Sequence, residues 1–168
     1  LGSKFYLREL SEKEKENILG AFIVDMIGNN QGEKEPEGEE DLDLMFDKSR
    51  PEVSQVLIQR AYNAIREYVP GLPTKISPDS GYDSDDDEFQ REGIPTVFIA
   101  EDTGEELEAE NTYFNGPDDT VEHIDFKGFF PKASEAIIAS VAIISISPTT
   151  ASAPIKSNFP NAIPVATL

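Results

Sequence analysis

The sequence predicts an α/β domain with a mostly parallel or mixed central sheet flanked by helices. Residues 18–27 form an apolar, branched run with the composition of a strand buried on both faces. A segment opening at Pro51 repeats apolar residues at helical spacing, and a second short branched run follows at residues 96–100. Strand and helix patterns therefore alternate along the chain, which is the pattern of an α/β fold.

Ser11 and Glu14 stand at the capping-box spacing, where each side chain satisfies an N–H left open at a helix start, so a short helix is predicted over about residues 12–17. The strand of residues 18–27 follows, with Asp25 near its C-terminal end. Sites in open α/β sheets gather just beyond such ends, which makes Asp25 a candidate functional carboxylate. Residues 28–41 are rich in Gly, Asn and Glu without apolar periodicity and read as a surface loop. Residues 42–46 suit a short strand. Pro51 fits the first turn of a helix whose core stripe is Val53, Leu57, Ala61, Ala64, Ile65 and Tyr68, ended by Pro70 and Gly71.

Residues 79–88 are acidic. The alternation of Asp83, Asp85 and Asp87 suggests calcium, yet Glu88 stands where an EF-hand needs its turn glycine and Ile94 where it needs a bidentate glutamate. That motif is rejected, and an irregular calcium site of hard carboxylate oxygens is the alternative. Pro95 opens the strand of residues 96–100, and residues 101–110 are expected to return to the surface. Pro117-Asp118-Asp119-Thr120 carries turn chemistry. His123, the sole histidine, reads as a surface or capping residue. A last helix is predicted over about residues 127–144, with Phe130, Ala133, Ile137, Val141 and Ile144 on its buried stripe. The domain is placed at residues 1–146, and residues 147–168, rich in Ala, Ser, Thr and Pro, read as a tail or linker.

The balance of 33 Asp and Glu against 14 Lys and Arg gives a formal charge of −19, which repels nucleic acid and anionic lipid. With no cysteine, disulfides, thiolate zinc sites and cysteine nucleophiles are excluded. The apolar run of residues 136–146 is interrupted by Ser140 and Ser145 and falls short of the roughly 20 residues a membrane span requires. No basic segment followed by an apolar core is visible after Leu1, so no secretory signal is read.

Several blocks occur in one order: Leu1-Gly-Ser-Lys-Phe-Tyr-Leu7, Phe22-Ile-Val-Asp-Met-Ile-Gly28, Ser84-Asp-Asp-Asp-Glu-Phe89, Gly93-Ile-Pro-Thr-Val-Phe98, Tyr113 to Thr120, and Val121-Glu-His-Ile-Asp-Phe126. Together they resemble the C-terminal part of the catalytic domain of a zinc-dependent aminopeptidase of the two-zinc exopeptidase clan. The resemblance implies a three-layer domain and an activity that removes N-terminal residues from peptides with zinc-activated water. It also implies roles for individual residues. Asp25 matches a carboxylate that ligates zinc, and Asn115 matches a zinc-ligating histidine. Asp86 falls where the family has a histidine beside the site. Asp119 would support the loop. Tyr113 and Phe114 adjoin Asn115 and are candidates to line a substrate pocket, with plain packing beside a turn as the commoner alternative.

Replacing both imidazoles weakens the donor set, because an asparagine amide is a poor zinc ligand beside a histidine nitrogen. A two-metal site needs several ligands holding the ions about 3.5 to 4 Å apart and a base for water. The His-x-Asp and Glu-Glu pairs of the family would lie before Leu1. The expected partners are therefore a peptide substrate and the missing N-terminal part of the domain, and the chain alone is expected to be inactive. The other readings are a catalytically inactive binding or scaffold domain and an acidic calcium-binding module.

Overall fold

The computed structural model describes residues 2–28, 42–47, 50–78, 84–101 and 116–146. Two short helices, α1 (Gly2–Glu9) and α2 (Glu12–Glu16), come first. The predicted capping box forms: the Ser11 N–H donates to the Glu14 carboxylate at 2.8 Å, and the Glu14 N–H donates to the Ser11 hydroxyl at 3.4 Å. Lys15 then ties α2 to the distant Glu92 at 2.8 Å.

Four strands build a mixed sheet in the order β1-β4-β2-β3: β1 (Ala21–Val24), β2 (Leu42–Phe46), β3 (Thr74–Pro78) and β4 (Thr96–Glu101). β1 runs parallel to β4, β2 runs parallel to β3, and β2 and β4 are antiparallel. All six residues of β4 are buried, as expected of a strand flanked on both sides. The strand begins under control of Ser54, whose hydroxyl accepts the Thr96 N–H at 2.9 Å in the core. Without it, a buried donor would lie unsatisfied.

Side chains alternate across the sheet with the two-residue period of a strand. Leu42, Leu44, Val97 and Ile99 face one side, where Leu57, Ile58, Ala61 and Ile65 of α3 (Pro51–Tyr68) meet them. Phe129, Ala133 and Ala136 of α5 (Phe129–Ile146) close the same core. Met45, Phe98 and Ala100 form a smaller cluster with Ile23 and Met26. Helix α4 (Asp86–Arg91) packs against β1, β4 and α1, and Phe89 meets Tyr6 with ring centroids 6.3 Å apart. Helices thus flank a mixed sheet, the three-layer α/β architecture expected from the sequence.

The structure corrects several local expectations. The strand predicted over residues 18–27 shortens to β1, which lies at a sheet edge with half-buried residues and an exposed Val24. β3 was not predicted, because its Lys75, Ser77 and Pro78 lack an apolar pattern. Its polar side chains have partners instead: the buried Asp43 carboxylate accepts from the Ser77 hydroxyl at 3.2 Å and pairs with Lys75 at 3.7 Å. Glu101 ends β4 buried rather than returning to the surface, and Tyr68 is exposed rather than core.

In α5 the buried face runs through Phe129, Ala133, Ala136 and Ser140, while Val141 of the predicted stripe is exposed. Small side chains let α5 approach α3 closely, and the Ser140 hydroxyl is satisfied by the Ala136 carbonyl at 2.8 Å. The side chain of Ile144, nearly all of the predicted loop at 28–41, and the tail at 147–168 lie outside the described residues.

Candidate functional site

Parallel pairing of β1 and β4 brings their C-terminal ends to one edge of the sheet. Asp25 is the first residue beyond β1, and its N–H continues the ladder to the Ile99 carbonyl at 3.1 Å. Met26 then takes φ of 50°, a left-handed conformation rare outside glycine and costing about 1–2 kcal/mol. The turn it makes has two visible supports. The Met26 N–H donates to Asp25 Oδ1 at 2.9 Å, and the Met26 carbonyl accepts the Glu101 N–H at 3.0 Å. Asp25 is thereby presented at the exposed strand end by a turn of defined shape. Backbone strain held in place by its surroundings is a frequent mark of functional positions.

Asp25 lines an open cleft of about 430 Å³ together with Asp85, Asp87 and Glu88 from the start of α4. Arg91 is the basic side chain facing these four carboxylates, and Ser3 and Ser84 complete the rim. Arg91 is engaged by Asp87 at 3.4 Å and by Glu88. The cleft is therefore acidic and suits cations or the ammonium end of a ligand better than anions. Among the described residues no group of three or more His, Cys, Asp and Glu side chains converges to hold a metal ion.

Ser3 is a contributor that sequence reasoning missed. Buried in α1, it donates from its hydroxyl to Asp85 Oδ1 at 2.7 Å, across 82 positions of chain. No local pattern announces such a contact. The bond holds the Asp85 carboxyl below its ordinary value of 3.8, because the hydroxyl stabilises the charged form. A carboxylate with a depressed folded-state pKa adds stability above the ordinary value and loses it as pH falls through the folded value. Ser3→Ala is accordingly expected to return Asp85 toward its ordinary titration and to shift the onset of acid unfolding to higher pH. A carboxyl-carbon NMR titration of Asp85 in both proteins checks this, and an unchanged titration would contradict it.

The other predicted site residues separate. Asp86 is the first residue of α4 but is only 1% exposed, with Oδ2 accepting from Gln90 at 2.7 Å, and it does not line the cleft. Asp119 belongs to a turn in which its N–H donates to the Gly116 carbonyl at 3.2 Å. His123 is half-buried in a single 3-10 turn, Val121–His123. Tyr113, Phe114 and Asn115 lie outside the described residues, as do residues 79–83 of the acidic stretch.

Residues 1–141 match the family described as peptidase family M28. The chain belongs to this family. As an M28 domain it is similar to BSAP, a zinc aminopeptidase from Bacillus subtilis. Two structures of that enzyme share 26% and 27% identity, with TM-scores of 0.65 and 0.64, and each comparison covers 83% of this chain and 31% of the other. An aminopeptidase from Aneurinibacillus sp. strain AM-1 shares the fold at 24% identity and a TM-score of 0.58, over 85% of this chain and 29% of that one. This M28 chain therefore spans less than a third of the length of the enzymes it resembles. No curated protein sequence matches it significantly.

Proposed function

We propose that the chain is the C-terminal part of an M28 aminopeptidase catalytic domain and that Asp25 is its contribution to the metal site. The observation that carries this reading is the placement of Asp25: within a family match over residues 1–141, it stands exposed at the end of β1, on a turn fixed by β4. The substrate class would be peptides with a free N-terminus, and the acidic cleft suits that ammonium group.

Zinc is the metal suggested by the similarity to BSAP. A bound zinc pair would activate water and polarise the scissile carbonyl. The described residues fit such a pair only in part. Asp25 offers one exposed carboxylate, and no three-donor group accompanies it among the described residues. What this chain does by itself is to orient that carboxylate, through the Met26 N–H and the ladder bond to Ile99. Hydrolysis would require donors and a base beyond the described residues.

A peptidase assay with zinc on the chain alone and on the chain joined to the polypeptide preceding it in its natural precursor tests this. We expect release of N-terminal residues from the joined protein only, lost in Asp25→Asn. Cleavage by the chain alone would overturn the reading.

A second reading, a catalytically inactive binding domain, is supported by Asp86. At a position where the family resemblance implies an imidazole, this chain carries a buried carboxylate bonded to Gln90. Absence of activity in the joined protein would favour it. No helix among the described residues is long and apolar enough to cross a membrane.

A further inference from the structure

We infer that Asp125 is a positioning residue for Asp25, coupling the start of α5 to the turn that presents the candidate carboxylate. The inference rests on the reading of Asp25 as the functional group, and it concerns how this chain holds that group in place.

Asp125 acts in two directions with different atoms. Its carboxylate caps α5: Oδ1 accepts the N–H groups of Lys127 at 3.1 Å and Gly128 at 2.9 Å, and Oδ2 accepts that of Phe129 at 2.8 Å. Lys127 and Gly128 lie in the turn before the helix and Phe129 is its first residue, whose N–H has no intrahelical acceptor, so one carboxylate satisfies three donors at and just before the helix start. Its backbone N–H points the other way and donates to the Gly28 carbonyl at 2.8 Å. Gly28 is only three residues past Asp25. The 18-residue α5, packed on α3, thus anchors a clamp on the far side of the Asp25 turn.

On the near side, the turn hangs from the end of β4 through the Ile99 carbonyl and the Glu101 N–H. Met26, in its left-handed conformation, sits between the two clamps. A strained residue persists only where its surroundings over-determine it, and here both flanks are fixed by elements remote in sequence. Two glycines provide the required close approach. A Cβ on Gly128 would fall 2.2 Å from Asp125 Oδ2, and one on Gly28 would fall 3.3 Å from Ile124 Cγ1. A larger residue at Gly128 would displace the Asp125 carboxylate, whereas one at Gly28 would require Ile124 to give by a few tenths of an ångström.

Amide hydrogen exchange followed by NMR on the full chain separates positioning from simple helix capping. In Asp125→Ala, the Met26 and Glu101 amides should exchange about 5- to 30-fold faster relative to core amides such as Ile65. Asp125→Asn, which keeps one acceptor oxygen, should restore part of the protection. A cap with no reach beyond α5 would instead speed the Gly128 and Phe129 amides and leave Met26 and Glu101 moving with the core, and that result overturns the inference. Should Asp125→Ala fail to fold, Gly128→Ala crowds the same carboxylate and is read by the same two amides. If exchange responds as expected while zinc binding proves indifferent to Asp25, the coupling stands and only the functional reading falls.

Discussion

Ile99→Ala is expected to lower folding stability by about 2–5 kcal/mol, the range for truncating a buried aliphatic side chain in a core that cannot collapse around the gap. Ile99 is fully buried on β4, paired with Val24 of β1 on one side and Leu44 of β2 on the other. Its side chain belongs to the cluster shared by α3 and α5. Its carbonyl also receives the Asp25 N–H, so the same residue links core packing to the position of the candidate site. Urea unfolding monitored by circular dichroism reads the effect as a lower midpoint at nearly constant slope. A loss below about 1 kcal/mol would mean that the sheet is not packed as described.

Asn115→His is expected to tighten zinc binding by on the order of 10- to 100-fold, a range already reached when only outer-shell partners of a metal change. The imidazole nitrogen supplies a strong neutral donor where the amide supplies a weak one. The gain should vanish in the double variant Asp25→Asn, Asn115→His, because the family resemblance implies that both positions serve one metal site. Calorimetric titration of the three proteins measures it. Equal zinc affinity in the single and double variants would separate Asn115 from Asp25 and remove the basis for pairing them.

Much of the fold was legible because local chemistry and tertiary structure agree. Ser11 and Glu14 cap α2, Pro51 opens α3, and Pro95 precedes β4, each at the expected position. The failures have physical causes. β1 lost residues at both ends because an apolar run does not reveal whether its strand is central or at an edge. α5 is apolar almost all round, so the phase of its stripe was ambiguous, and the close contact with α3 selected Ala133, Ala136 and Ser140. β3 is polar because its side chains serve the buried Asp43.

The candidate site divides in the same way. The position of Asp25 at a strand end was legible from the apolar run that contains it. Ser3, Asp125 and the burial of Asp86 were not, since each depends on contacts made across the fold. The clearest case is Asp85, which lies in an obvious acidic run yet is governed by a serine in the first helix.

Zinc titration of the unaltered chain by calorimetry at neutral pH, repeated on Asp25→Asn, tests the central claim most directly: Asp25 is the metal-directed carboxylate of an incomplete site. The account predicts no more than one zinc, bound with a Kd weaker than about 1 μM, corresponding to less than about 8 kcal/mol, and lost in Asp25→Asn. Two zincs bound well below that Kd, or binding that survives the loss of Asp25, would contradict it.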